Sequence, residues 1–160
     1  MYGGIFINLA DFYFERKNYI QALAHLKVAE KLFPFLPRLK NRIGIALYEC
    51  RRFDEAISYF KHALPSSIRK EAFHNIGRVY FTQGNIKKAA ALFQKALLID
   101  RNYSKSLLGL ALCYKQMGEN QKAKKLLIHC ISVASPNSKE LKNAKDILTQ
   151  LYHSHKTPNS

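Results

Sequence analysis

The chain has 160 residues, 48% of them hydrophobic, with seven glycines and five prolines, which is enough apolar material for a packed core and excludes wholesale disorder. Twenty-six Lys and Arg against eleven Asp and Glu give a formal charge of +15, a field that favours acidic protein segments, nucleic acid or anionic membrane surfaces. Three cysteines (Cys50, Cys113 and Cys130) at unrelated spacings argue against a disulfide framework and fit a reducing, cytoplasmic setting.

The opening MYGGIFINLAD has no basic n-region and is interrupted by Asp11, so it does not read as a signal peptide. Its continuation, FINLADFYFE, has helical periodicity, and KNYIQALAHLKVAEKLFPF (17–35) follows as a second helical segment. The same succession recurs three times. RIGIALYEC precedes RRFDEAISYFKHALPSS (51–67), FHNIGRVYFTQ precedes GNIKKAAALFQKALLIDRN (84–102), and LLGLALCYKQM precedes GENQKAKKLLIHCISVASPN (118–137). The offsets are 34, 33 and 34 residues, so the chain reads as eight helices in four hairpins. Ala56, Ala89 and Ala123, near the starts of second helices, are the small residues that let paired helices approach. Gly84 and Gly118 stand where a first helix must end in a left-handed residue. SKELKNAKDILTQLY (138–152) carries one apolar stripe of Leu141, Ala144, Ile147, Leu148 and Leu151. It reads as a helix covering the exposed end of the last hairpin, with Ser135–Pro136 as its start signal.

The third hairpin carries Phe73, Ile76, Gly77, Tyr80, Gly84, Ala89, Phe93 and Ala96, and in this it resembles the tetratricopeptide repeat, a 34-residue helical hairpin. The first copy offers Phe6, Leu9, Ala10, Tyr13, Ala22, Leu26, Ala29 and Pro34. The fourth offers Leu107, Leu110, Ala111, Tyr114, Gly118, Ala123, Leu127 and Cys130. The second departs most: Lys40 replaces an aromatic, Arg51 replaces glycine, and its tail is one residue short, so an irregular geometry is expected near residues 64–69. The resemblance implies an all-α fold, a right-handed superhelical solenoid of antiparallel helix pairs. Its expected divisions are repeats at residues 3–36, 37–69, 70–103 and 104–137, a capping helix at 138–152 and a disordered tail at 153–160.

Residues for catalysis are not apparent. The six histidines have no zinc-ligand spacing, His153 and His155 included, and there is no phosphate-cradling glycine loop, nucleophile elbow or HExxH. Cys113 and Cys130 lie on apolar faces and read as buried small residues. The expectation is a non-catalytic protein with no cofactor, no metal and no small-molecule substrate; its oligomeric state is left open.

In the tetratricopeptide family the first helix of each repeat lines a concave groove. Carried over by position, this implies a peptide-binding groove at Asn8, Asp11, Arg38, Asn41, Arg42, Tyr48, His74, Asn75, Arg78, Phe81, Lys105 and Lys115, with Glu49 and Leu108 beside them. The expected partner is an extended or helical, acidic peptide, with Arg and Lys meeting carboxylates and Asn holding the backbone. The carboxylate clamp of chaperone-docking members is incomplete in either register: Ile7, Asp11, Arg42, Glu71 and Asn75, or Asn41, Ile45, Asn75, Lys105 and Gly109. Strong binding to chaperone tails is therefore not expected. Lys87, Lys88, Lys95, Lys122, Lys124 and Lys125, expected to face outward on the second helices, carry the alternative of a basic surface for nucleic acid or anionic membrane. Within the scaffold class, a bacterial secretion chaperone or assembly factor is a further alternative.

Overall fold

The structure is a computed structural model that describes residues 3–153. The expected tail at 153–160 lies outside the described residues, except for His153. Among the described residues the chain is all-α, with helices α1 (Gly3–Glu15), α2 (Tyr19–Leu32), α3 (Pro37–Glu49), α4 (Phe53–His62), α5 (Arg69–Thr82), α6 (Ile86–Ile99), α7 (Ser104–Gln116), α8 (Asn120–Val133) and α9 (Lys139–His153). Two compact units divide at Val79–Tyr80, inside α5.

The turns between paired helices explain why these segments start and stop where they do. Gly84 and Gly118 have φ of 78° and 77°, and Lys17 and Arg51 hold the same left-handed conformation at 56° and 60°. In each turn the next residue's N–H closes back on the helix: Asn18 to Tyr13, Arg52 to Leu47, Asn85 to Tyr80 and Glu119 to Tyr114, at 2.8–2.9 Å. These six-residue closures satisfy carbonyls that the helix end would otherwise leave open. Glycine is thus absent at two of the four turns while its conformation is kept. Asn18 and Asn85 then cap the following helices, accepting from Gln21 N at 3.2 Å and Lys88 N at 3.4 Å.

In the first unit, α1 packs on α2, α2 on α3 and α3 on α4. Ala10, Ala22, Leu26, Ala29, Ile43, Ala46, Leu47 and Ala56 are fully buried. Helices α3 and α4 approach tightly at Gly44, where an added Cβ would lie 2.5 Å from the Phe60 ring. The irregularity expected near residues 64–69 takes a definite form. Helix α4 has 10 residues where α2, α6 and α8 have 14. Ile68 then packs with Ala63 and Ala72 in a small cluster, while Ser66 donates to Ala63 O and its own carbonyl accepts from Arg69 N.

Lys40, where an aromatic was expected, is an ionic tie. Its Nζ lies 2.6 Å from Glu30 of α2, which also meets Lys27 at 3.1 Å and the Tyr59 hydroxyl of α4 at 3.1 Å. Burial pushes the Glu30 carboxyl up, but the hydrogen bonds from Lys40, Lys27 and Tyr59 outweigh it and hold Glu30 below its ordinary value.

In the second unit, Phe93 packs with Ala89, Ala90, Leu110 and Cys113, and its ring lies 2.8 Å from where a Cβ on Gly109 would stand. A further cluster joins Leu107, Leu108, Ala111, Ala123, Leu127 and Cys130 to Ala144 and Leu151 of α9. Helix α9 therefore lies against α7 and α8 through the stripe read from its sequence. Its start is set by Ser138, whose Oγ accepts from Leu141 N at 3.2 Å, not by Ser135–Pro136. Two expectations are corrected here. Lys124 does not face outward: it is 8% exposed, with its ammonium 4.4 Å from the Tyr152 ring centre. Leu108 is a core residue, 9% exposed.

Candidate functional site

Of the polar residues read from the first helices of the first unit, the structure pairs Asp11 with Arg42, Asn41 with Asn75, and Arg78 with Glu49 and Tyr48, on α1, α3 and α5. In α3, Leu39, Ile43, Ala46 and Leu47 form the buried stripe. A 3.6-residue period then places Arg38, Asn41, Arg42, Tyr48 and Glu49 along the adjoining face. Asn75 Nδ2 of α5 donates to Asn41 Oδ1 at 2.9 Å, joining equivalent faces of helices 34 residues apart. Arg42 forms an ion pair with Asp11 of α1. Arg78 lies 3.6 Å from Glu49 of α3, with its guanidinium 4.4 Å from the Tyr48 ring centre. These side chains are partly exposed, so each ion pair contributes little to stability, about 0–1 kcal/mol. Their significance is geometric: each arginine has a carboxylate of a neighbouring first helix beside it.

The remaining expected residues are placed less uniformly. Asn8 and Arg38 are exposed. His74 and Asn75 are 8% and 7% exposed, so each offers an edge of its side chain where a surface residue was expected. In the second unit, Lys105 is exposed and Lys115 donates to Gln150 Oε1 at 3.1 Å. Phe81 is half-buried against the cluster around Phe93.

Sequence alone presents the arginines as open cations, whereas in the structure Asp11 and Glu49 face them. Asp11 was recognised as a groove position; its pairing 31 residues away carries no local sequence signal. Also missed was an exposed apolar connection at residues 32–36, for which the run LFPFL was a legible signal.

Cys113 and Cys130 are buried and have no reactive setting. Burial pushes the Cys113 thiol up to about 12 and the Cys130 thiol up to about 11. Among the described residues no group of three His, Cys, Asp or Glu is arranged to hold a metal ion. No helix there is long and apolar enough to cross a membrane.

Comparison with known proteins agrees with this architecture. Two sequence profiles of the tetratricopeptide repeat match residues 35–102 and 80–131. The chain is 28% identical over 140 residues to the BBSome complex member BBS4 homolog of Drosophila melanogaster, covering 79% of this chain and 29% of that protein. It is 30% identical over 98 residues to the human Intraflagellar transport protein 88 homolog, covering 58% and 12%. The chain thus spans less than a third of the length of these relatives. Among solved structures, a chain of the APC/C hetero-tetramer Cut9–Hcn1 matches with a TM-score of 0.77 at 21% identity, over 91% of this chain and 29% of that one. MamA matches with a TM-score of 0.67 at 19% identity, over 96% and 88%. Matching profiles, tandem helical hairpins and a left-handed turn within each of the four hairpins lead to one assignment: the chain belongs to the tetratricopeptide-repeat family.

Proposed function

We propose that the chain is a protein–protein interaction scaffold whose first unit binds an extended acidic peptide across α1, α3 and α5. The observation that carries this reading is the Asn41–Asn75 hydrogen bond with Arg42 and Arg78 held on the same helices, each already against a carboxylate. Asp11 and Glu49 mark where an anionic oxygen sits favourably against each guanidinium. A peptide supplying its own carboxylates takes their place, while the amides of Asn41 and Asn75 offer hydrogen bonds to its backbone. The competition sets an affinity cost, so a ligand needs acids at both arginines to bind well. The relatives named for a multi-protein complex and for intraflagellar transport are consistent with a module that works by holding other proteins.

The test is a screen of peptide libraries, acidic and charge-scrambled, against the wild-type chain and an Arg42→Glu/Arg78→Glu variant. The expected result is selection of acidic sequences, with affinity lost in the variant. Equal capture by wild type and variant overturns the reading, as does retention of oligonucleotide in place of peptide.

A further inference from the structure

The segment KLFPFLPRLK (31–40) connects α2 to α3, and its middle is apolar and open to solvent. Phe35 is 93% exposed, and Leu32, Phe33 and Leu36 are 52%, 43% and 41% exposed. Contiguous apolar surface on a folded chain marks an interaction site. The connection is also stiff. Pro34 and Pro37 fix two φ angles, Pro37 begins α3, and Phe33 N donates to Ala29 O at 2.9 Å. The Phe35 ring is therefore presented on a set turn.

The charge around this tip is one-sided. Short connections make successive helices of the first unit run antiparallel, so the α2–α3 and α4–α5 connections emerge at the same end. Segments 31–40 and 61–70 contain Lys31, Arg38, Lys40, Lys61, Arg69 and Lys70, and no carboxylate. Of the flanking acids, Glu30 is held by Lys27, Lys40 and Tyr59 and so offsets Lys40, and Glu71 has a buried Oε2, while Lys31, Arg38 and Lys61 are exposed at this end. The opposite end, formed by residues 16–18 and 49–55, mixes basic residues with Glu49, Asp54 and Glu55. The apolar tip stands on the end whose two connecting segments carry no acid.

We propose that this end docks on an anionic phospholipid bilayer, with Phe35 and its apolar neighbours in the interfacial layer and Lys31, Arg38 and Lys61 among the headgroups. Aromatic rings favour that boundary, and cations beside it are drawn to anionic headgroups. Apolar burial and charge then act together, which is what reversible peripheral attachment requires. A projecting tip needs no pocket in a bilayer, whereas a protein would have to provide one. A second copy of the chain would bring another +15 against the same basic end.

The chain contains no tryptophan, so Phe35→Trp places a unique fluorophore at a site too exposed to disturb the core. With vesicles of phosphatidylcholine and phosphatidylserine its emission is expected to move to shorter wavelength, and with phosphatidylcholine alone to stay unchanged. Adding Lys31→Glu/Arg38→Glu to that variant should weaken vesicle binding at least about tenfold. Sedimentation with vesicles should show a similar loss for Phe35→Ser. Absence of binding to anionic vesicles overturns the proposal. So does binding that leaves the emission of the Phe35→Trp variant unchanged, because contact is then made through other lysines. An emission shift that grows with protein concentration in lipid-free buffer also overturns it, since a second copy then covers the tip.

Discussion

Replacing Gly44 by alanine sets two physical effects against each other. Helix propensity alone favours alanine by about 1 kcal/mol in a helix interior. Packing opposes it. The new Cβ would stand 2.5 Å from Phe60 Cε1, 2.7 Å from Cδ1 and 3.0 Å from Cζ, and Phe60 is 1% exposed. The ring cannot swing into solvent, so α3 and α4 must separate, an overpacking cost of about 2–3 kcal/mol. The net expectation is a loss of about 1–2 kcal/mol, read from urea denaturation followed by circular dichroism. Gly4→Ala is the control, because nothing lies within 4 Å of a Cβ there. It should leave stability unchanged or slightly raised. Combining Gly44→Ala with Phe60→Leu should give a protein more stable than the two single losses sum to, since leucine vacates the contested space. A Gly44→Ala variant as stable as wild type would refute the reasoning.

Other consequences follow from the turns, the partly buried ion network and the thiols. Arg51→Gly should stabilise the chain by about 1 kcal/mol, because Arg51 holds φ of 60° that costs an L-residue but not glycine; Gly84→Ala, at φ of 78°, should destabilise it by a similar amount, both checked by denaturation. Glu30 has a folded-state pKa below its ordinary value, so the stability it contributes is present above the unfolded pKa of about 4.3 and is lost as pH falls through the lowered value. Glu30→Gln should therefore flatten the acid limb of a stability–pH curve while lowering stability at neutral pH. Cys113 and Cys130, buried with thiols pushed up to about 12 and 11, should resist a disulfide reagent at pH 8 until the protein unfolds, and half-buried Cys50 should react before them.

Much of the fold was legible because helical periodicity and tandem self-similarity repeat each other's information along the chain. The left-handed turns at Gly84 and Gly118 announced themselves through glycine. Those at Lys17 and Arg51 did not, because a long polar side chain carries no mark of positive φ. Lys40 looked like a defect in the apolar pattern, but a lysine stem covers apolar surface while its ammonium finds Glu30. Lys124 misled for the converse reason: only its packing against Tyr152 of α9 reveals its burial. The candidate face was readable as a set of helix positions, since those follow from the 34-residue period. Its electrostatic state was not, because the Arg42–Asp11 and Arg78–Glu49 pairs depend on which helices become neighbours and how their side chains turn.

The most direct test of an interaction face on α1, α3 and α5 is amide chemical-shift mapping during titration with the tightest acidic peptide from the library screen. The account predicts perturbations centred on Asp11, Asn41, Arg42, Glu49, Asn75 and Arg78, with the Asn41 and Asn75 side-chain amides among the largest. Shifts centred on the lysines of α6 and α8 instead, with those six residues unmoved, would contradict it.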